Sequence, residues 1–256
     1  MSVKYEVVGR RATITIDDPE RRNPMSVETM SALLEKTRDA MGDPAVGVVV
    51  YTGAGNRAFS AGGDLSGSFV DDAIGLHHGR GDIALLFREM MGGGKPTIAR
   101  VNGHAIAGGF GLAVACDITI CVDDARLGTT EVKVGLWPMM ISAVLTRAMP
   151  RKAVLEMMLT GRLLTAEEAH RLGAVSRVVS RDQLDDVVDE VVDSILALSP
   201  ATLMMGKDSF YGITDLGLDT ALDRLQGGLT EVAMTEDARE GVSAFIEKRD
   251  PDWSGR

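Results

Sequence analysis

The sequence predicts an α/β fold with a helical ending. Strand and helix patterns alternate over the first 140 residues. Helix-type apolar spacing then takes over. A valine-rich run at 47–52 without polar alternation reads as a strand covered on both faces, as parallel strands are.

In order, Val3–Val8 and Ala12–Ile16 are short β-type runs joined at Gly9-Arg10-Arg11, a hairpin signal, and Asp17-Asp18-Pro19 ends the second. Ser26 opens a helix whose Met30, Leu33, Leu34, Thr37 and Met41 recur at close to helical spacing, and Gly42 closes it. After the 47–52 strand, Gly53 to Gly67 reads as a glycine-rich loop. The stretch 66–82, with Gly67, Gly75, Gly79 and Gly81, reads as mobile. Asp82–Met91 is an amphipathic helix ended by three glycines. Thr97–Val101 is a buried strand, Asn102-Gly103 a turn, and Gly108-Gly109 open an apolar helix. Ile118–Val122 and Ala125–Leu127 are further strands. Beyond 140, helical spacing marks 153–160, 166–172, 184–198, 201–211, 218–234 and 236–247. No sequence repeat and no low-complexity linker divides the chain.

Composition narrows the function. The 256 residues carry a net charge of −10, which repels nucleic acid and anionic membrane surfaces, so neither is an expected partner. No apolar run approaches the length of a membrane span, and no basic-then-apolar leader opens the sequence, so a cytoplasmic protein is expected. Cys116 and Cys121 sit in apolar patterns and read as buried thiols. His77-His78 lack carboxylates at metal-ligand spacing, so no metal is expected. Gly53-Ala-Gly-Asn-Arg-Ala58 half-matches a dinucleotide-binding fingerprint, but the helix that should follow is replaced by Phe59-Ser-Ala-Gly-Gly-Asp64. At Gly108-Gly109, bare backbone at a helix start presents N–H groups without intrahelical partners. Such a place favours an anion, or an oxygen that becomes one.

Five segments occur in order: Arg22-Asn-Pro-Met-Ser26, Ala58-Phe-Ser-Ala-Gly-Gly-Asp-Leu65, Asn102-Gly-His-Ala-Ile-Ala-Gly-Gly109, Thr130-Glu-Val-Lys-Val-Gly-Leu-Trp137 and Phe245-Ile-Glu-Lys-Arg-Asp-Pro251. By these the chain resembles the enoyl-CoA hydratase/isomerase, or crotonase, family over nearly its whole length. The resemblance implies a crotonase-like spiral of β-β-α units forming two sheets, with a C-terminal helical trimerisation region. The expected division is an acyl-CoA-binding core at 1–195 and a helical oligomerisation region at 196–256. The expected partners are an acyl-CoA thioester and other copies of the chain, as a homotrimer or hexamer. No cofactor is implied beyond the coenzyme A of the substrate.

By motif position, the resemblance puts the thioester oxygen between the N–H groups of Gly63 and Gly108. It puts adenine against the backbone of Ala61, Asp64 and Leu65, and Arg22 near the CoA phosphates. Lys248 would reach the CoA of a neighbouring subunit. His104 reads as structural, Trp137, Met139 and Met140 as acyl-pocket lining, and Met157 and Met158 as core. Family hydratases carry two glutamates. One position here is Glu131, the expected acid/base; the other is Gly111, counted with the substrate-binding residues. Adding water needs one group to deprotonate the water and another to protonate C2. One carboxylate suffices to move a proton from C2 to C4. The residues therefore lean towards a 3,4-to-2,3 double-bond shift, unless Glu89 or Asp82 replaces the missing acid. A non-catalytic CoA-binding scaffold is the alternative.

Overall fold

The computed structural model describes residues 2–65, 74 and 76–256. It opens with the antiparallel hairpin β1 (Val3–Val8) and β2 (Arg11–Ile16), Val3 facing Ile16. Burial alternates along β2, because one face meets the core and the other is half-covered. A 3₁₀ turn at Pro19–Arg21 and the two-residue β3 (Pro24–Met25) lead to α1 (Val27–Gly42). Ser26 caps α1 by accepting the Thr29 N–H at 3.2 Å. The α1 face bearing Met30, Leu33, Leu34 and Thr37 is buried, as the spacing predicts.

Next comes β4 (Val48–Gly53), buried at every position. The stretch that composition reads as a glycine loop then holds two short strands, β5 (Ala58–Ser60) and β6 (Gly62–Gly63). Residues 66–73 and 75, expected to be mobile, lie outside the described residues. Ile74 is in a turn, and from Leu76 the stretch is helix: α2 runs Leu76–Gly92 and includes His77, Gly79 and Gly81. Gly79 lets α2 lie close on α1, since a Cβ there would collide with Val27.

The chain continues through β7 (Thr97–Val101), β8 (His104–Ile106), α3 (Gly108–Ala115), β9 (Ile118–Val122) and β10 (Arg126–Gly128). A 3₁₀ turn at Glu131–Val134 precedes α4 (Met139–Ala148) and α5 (Arg151–Thr160). Then come β11 (Leu163–Thr165), α6 (Ala166–Arg171), β12 (Arg177–Val179) and α7 (Leu184–Leu196). The last helices are α8 (Pro200–Gly212), α9 (Leu218–Ala233) and α10 (Glu236–Glu247).

A six-stranded sheet runs β1-β2-β4-β7-β9-β12, parallel from β2 onward, and a four-stranded sheet runs β11-β10-β8-β5. Each turn of chain lays one strand in each sheet and then a helix: β4, β5, α2; β7, β8, α3; β9, β10, α4. This is the expected spiral. One apolar core spans the sheets and the helices on them, and Met157 and Met158 belong to it. Cys116 and Cys121 are buried free thiols. No helix among the described residues is long and apolar enough to cross a membrane.

Two buried charges fasten the helical ending. Lys207 of α8 donates to the carbonyls of Met90 and Lys95, both at 2.6 Å, and pairs with Asp117 at 2.8 Å. Asp117 also accepts from Tyr211 at 2.7 Å. Asp237 of α10 accepts from Ser199 at 2.6 Å and from the Ser254 and Gly255 amides at 2.8 and 3.0 Å. Burial alone would raise that carboxyl, but these bonds together hold it below its ordinary value.

Candidate active site

The site is assembled where β6 meets α3. Ala107 precedes α3 with φ 52° and ψ −123°, a conformation that L-residues rarely adopt. It is held there because its N–H donates to Gly128 O at 2.8 Å and its carbonyl accepts from Gly111 at 3.1 Å. Gly108 follows as the first residue of α3, so its N–H has no intrahelical acceptor. Just after β6, the Asp64 N–H bonds Met25 O at 3.2 Å, beside the β3–β6 pair. Successive amides of a strand point to opposite sides, which leaves the Gly63 N–H directed away from β3. The two amides are neighbours: a Cβ on Gly108 would lie 4.0 Å from Gly63 N.

Both glycines line a cavity of about 370 Å³. Its wall is mainly apolar: Met25 and Met30 from β3 and α1, Ile83 from α2, and Leu136, Trp137, Met139, Met140 and Ile141 around the start of α4. Ala61 and Leu65 flank it near β6. Leu65, Trp137 and Met139 keep 50%, 36% and 70% of their surface exposed, so the mouth of the cavity is itself apolar.

Glu131 is the one carboxylate among the described lining residues. It opens the 3₁₀ turn after β10, which the Gly135 N–H closes onto Val132 O at 3.3 Å. Its Oε2 is buried and has no hydrogen-bond partner among the described residues. Burial pushes the Glu131 carboxyl above its ordinary value, and backbone N–H groups at Glu131 and Thr130 offset part of that rise.

Other expected site residues fall elsewhere. Gly111 is buried in α3, and the cavity wall beside it is Ile141, so the wall contact expected of Gly111 is corrected. Arg22 holds the Ala61 N–H on its carbonyl at 2.9 Å, but it belongs to a separate cavity of about 150 Å³ with Asn56 and Arg57. Arg21 reaches Asp64 at 2.9 Å. Lys248 is exposed at the end of α10 and does not line the cavity. Glu89 pairs with Arg38 at 2.8 Å, and neither it nor Asp82 lines the cavity, so no substitute acid comes from α2. His104 accepts the Arg126 N–H at 3.1 Å, a structural role. Asn23 and Asn102 are also structural: their side chains bond the carbonyls of Ala54, Ala58, Gly53 and Gly55 and shape the loop before β5. Met25, Met30, Ile83 and Ile141 were missed. Their sequence patterns are those of ordinary core residues, and only the packing turns them towards the cavity.

The sequence signature described as Enoyl-CoA hydratase/isomerase matches residues 9–256. The chain belongs to this family. A Thermus thermophilus relative, provisionally named an enoyl-CoA hydratase, is 38% identical, covering 95% of this chain and 97% of its own length. A carnitinyl-CoA dehydratase of Salmonella enteritidis is 36% identical over 95% of this chain and 94% of its own. Among solved structures, human enoyl Coenzyme A hydratase domain-containing protein 3 superposes with a TM-score of 0.95 at 28% identity, over 99% of this chain and 100% of the other. The enoyl-CoA hydratase of Mycobacterium smegmatis superposes with a TM-score of 0.93 at 31% identity, over 99% of each chain. The spiral is therefore the crotonase fold. Within it the cavity presents the Gly63 and Gly108 amides, a helix start and, among the described lining residues, one carboxylate in a mainly apolar wall. Such donors stabilise an oxyanion as it forms, and each is typically worth about 3 kcal/mol. The family implies an acyl-CoA thioester as the ligand.

Proposed function

We propose that this chain moves the double bond of a 3-enoyl-CoA to the 2,3 position by proton transfer through Glu131. The single observation that carries the reading is that Glu131 is the one carboxylate among the described residues of the cavity, buried and unpartnered at Oε2. The thioester oxygen sits between the Gly63 and Gly108 amides. Glu131 removes a C2 proton, the C–H electrons pass into a dienolate whose charge rests on that oxygen, and the protonated Glu131 returns the proton at C4. No cofactor takes part. The apolar wall from Leu136 to Ile141 receives the acyl group. Ala61, Asp64 and Leu65 receive the adenine, with Arg22 at the phosphates and Lys248 serving a neighbouring subunit of a trimer or hexamer.

Hydration of a 2-enoyl-CoA is the second reading, favoured by the hydratase and dehydratase names of the relatives. Rates of 3-hexenoyl-CoA isomerisation and crotonyl-CoA hydration on the purified protein separate the two, and faster hydration would overturn the first. Glu131→Gln should lower turnover by about 10²-fold or more with CoA binding retained. Near-wild-type turnover would remove Glu131 from the mechanism.

A further inference from the structure

Gly111 lies three residues beyond Gly108, so on α3 the two share a face. A side chain at 111 would therefore stand beside the Gly108 amide, at the wall of the acyl cavity. That space is already filled. A Cβ at 111 would lie 2.7 Å from the Cβ of Ile141 and closer still to its Cγ2, with Phe87 Cζ at 3.5 Å behind. Ile141 comes from the first turn of α4, is 4% exposed and lines the cavity. An apolar branched side chain thus occupies the stretch of wall where a residue at 111 would present a second polar group to the substrate.

We propose that Ile141 restricts this site to one-carboxylate chemistry, by filling the volume that a second acid/base side chain, or a water held for attack, would need. The inference rests on Glu131 acting as the lone proton carrier. The two reactions differ in what they require. In the double-bond shift, the proton leaving C2 returns at C4 and nothing is added. In hydration, the water oxygen bonds C3, one water proton goes to a base, and C2 gains a proton from an acid. The second sequence needs room for a water and a group to hold it, and Ile141 denies both.

The test compares the wild type, Ile141→Val, Ile141→Ala and the double variant Gly111→Glu/Ile141→Gly, because even the Cβ at 141 would stand 2.7 Å from a Cβ at 111. Each is assayed for crotonyl-CoA hydration and 3-hexenoyl-CoA isomerisation, with thermal unfolding and CoA affinity alongside. Ile141→Val keeps the Cβ and Cγ2 that crowd position 111 and should keep the wild-type ratio of hydration to isomerisation. The ratio should rise in Ile141→Ala, which opens room for a water, and by about tenfold or more in the double variant, which adds a second carboxylate. A wild-type ratio in both Ile141→Ala and the double variant, each folded and binding CoA, would overturn the proposal. The valine variant, which loses only Cδ1, is the control for that volume, and a rise there as large as in Ile141→Ala would also overturn it. If the wild type hydrates faster than it isomerises, the lone-carrier reading fails first and the inference falls with it. If it isomerises and the ratio never moves, the role of Ile141 alone is wrong.

Discussion

A Cβ on Gly108 would meet Met25 Sδ at 3.4 Å and Ile83 Cδ1 at 3.9 Å, ordinary packing distances. One on Gly109 would lie 2.6 Å from Ser60 Cβ and 2.7 Å from Ser60 O. These neighbours are glycine for different reasons: in the proposed mechanism Gly108 leaves its amide open to the thioester oxygen, whereas Gly109 lets α3 lie against β5. Gly108→Ala should therefore fold with a Tm near wild type and lose about 10²-fold in kcat/KM. Gly109→Ala should lose about 3 kcal/mol or more, read by thermal or urea unfolding. The Glu131 carboxyl, raised by burial, gives a second prediction at this scale. In the proposed mechanism the working form is the carboxylate, so kcat/KM should rise with pH through a midpoint above a glutamate's ordinary value, and Glu131→Gln should abolish that limb. The linkage has a definite sign. A carboxyl whose folded pKa exceeds its unfolded one contributes stability at low pH, lost as pH rises through the folded value. Glu131→Gln should accordingly gain Tm relative to wild type at pH 8 compared with pH 5.

Among the elements, β4 and α1 were legible because each carries a full period or a continuous apolar run. The two- and three-residue strands β5, β6, β8, β11 and β12 were not. A strand that short has no readable alternation, and it exists because a partner strand is brought to it, as Pro24 is to Gly62. Helix α4 escaped for another reason. Its first residues Met139 and Met140 are apolar yet exposed towards the cavity mouth, which blurs the buried stripe of Ile141, Val144 and Leu145. The join between α8 and the core depends on Lys207, whose side chain is only 8% exposed. Desolvation lowers its pKa, and Asp117 opposes that shift. Lys207→Met leaves the half-buried Asp117 without its ion-pair partner and the Met90 and Lys95 carbonyls without its bonds. It should cost about 3 kcal/mol in urea denaturation, and a loss below about 1 kcal/mol would show that α8 is held by packing alone.

At the scale of the whole molecule, the helical ending leaves large apolar side chains in water. Leu218, Leu229, Phe245 and Ile246 are 74%, 72%, 84% and 72% exposed. Side chains of this kind mark an association surface when they are grouped. The proposed trimer or hexamer would cover them. Sedimentation of the full chain should give a mass three or six times 27.3 kDa. Phe245→Asp should shift it towards the monomer without unfolding α10, because Phe245 makes little of the buried core. A monomeric wild type would contradict the assembly and remove the route by which Lys248 reaches a neighbouring CoA.

The five motif segments alone sufficed to place the chain in its family, to single out Gly63, Gly108 and Glu131, and to mark Gly111 as the departure. They could do so because backbone donors and acids on fixed turns depend on local sequence. Only the packing decided that Ile141 fills the space over Gly111, that Glu89 is spent on Arg38, and that Met25, Met30 and Ile83 wall the cavity. Each of these is a contact between residues far apart in the chain, and side-chain volume in a shared cavity leaves no periodic trace in any one segment.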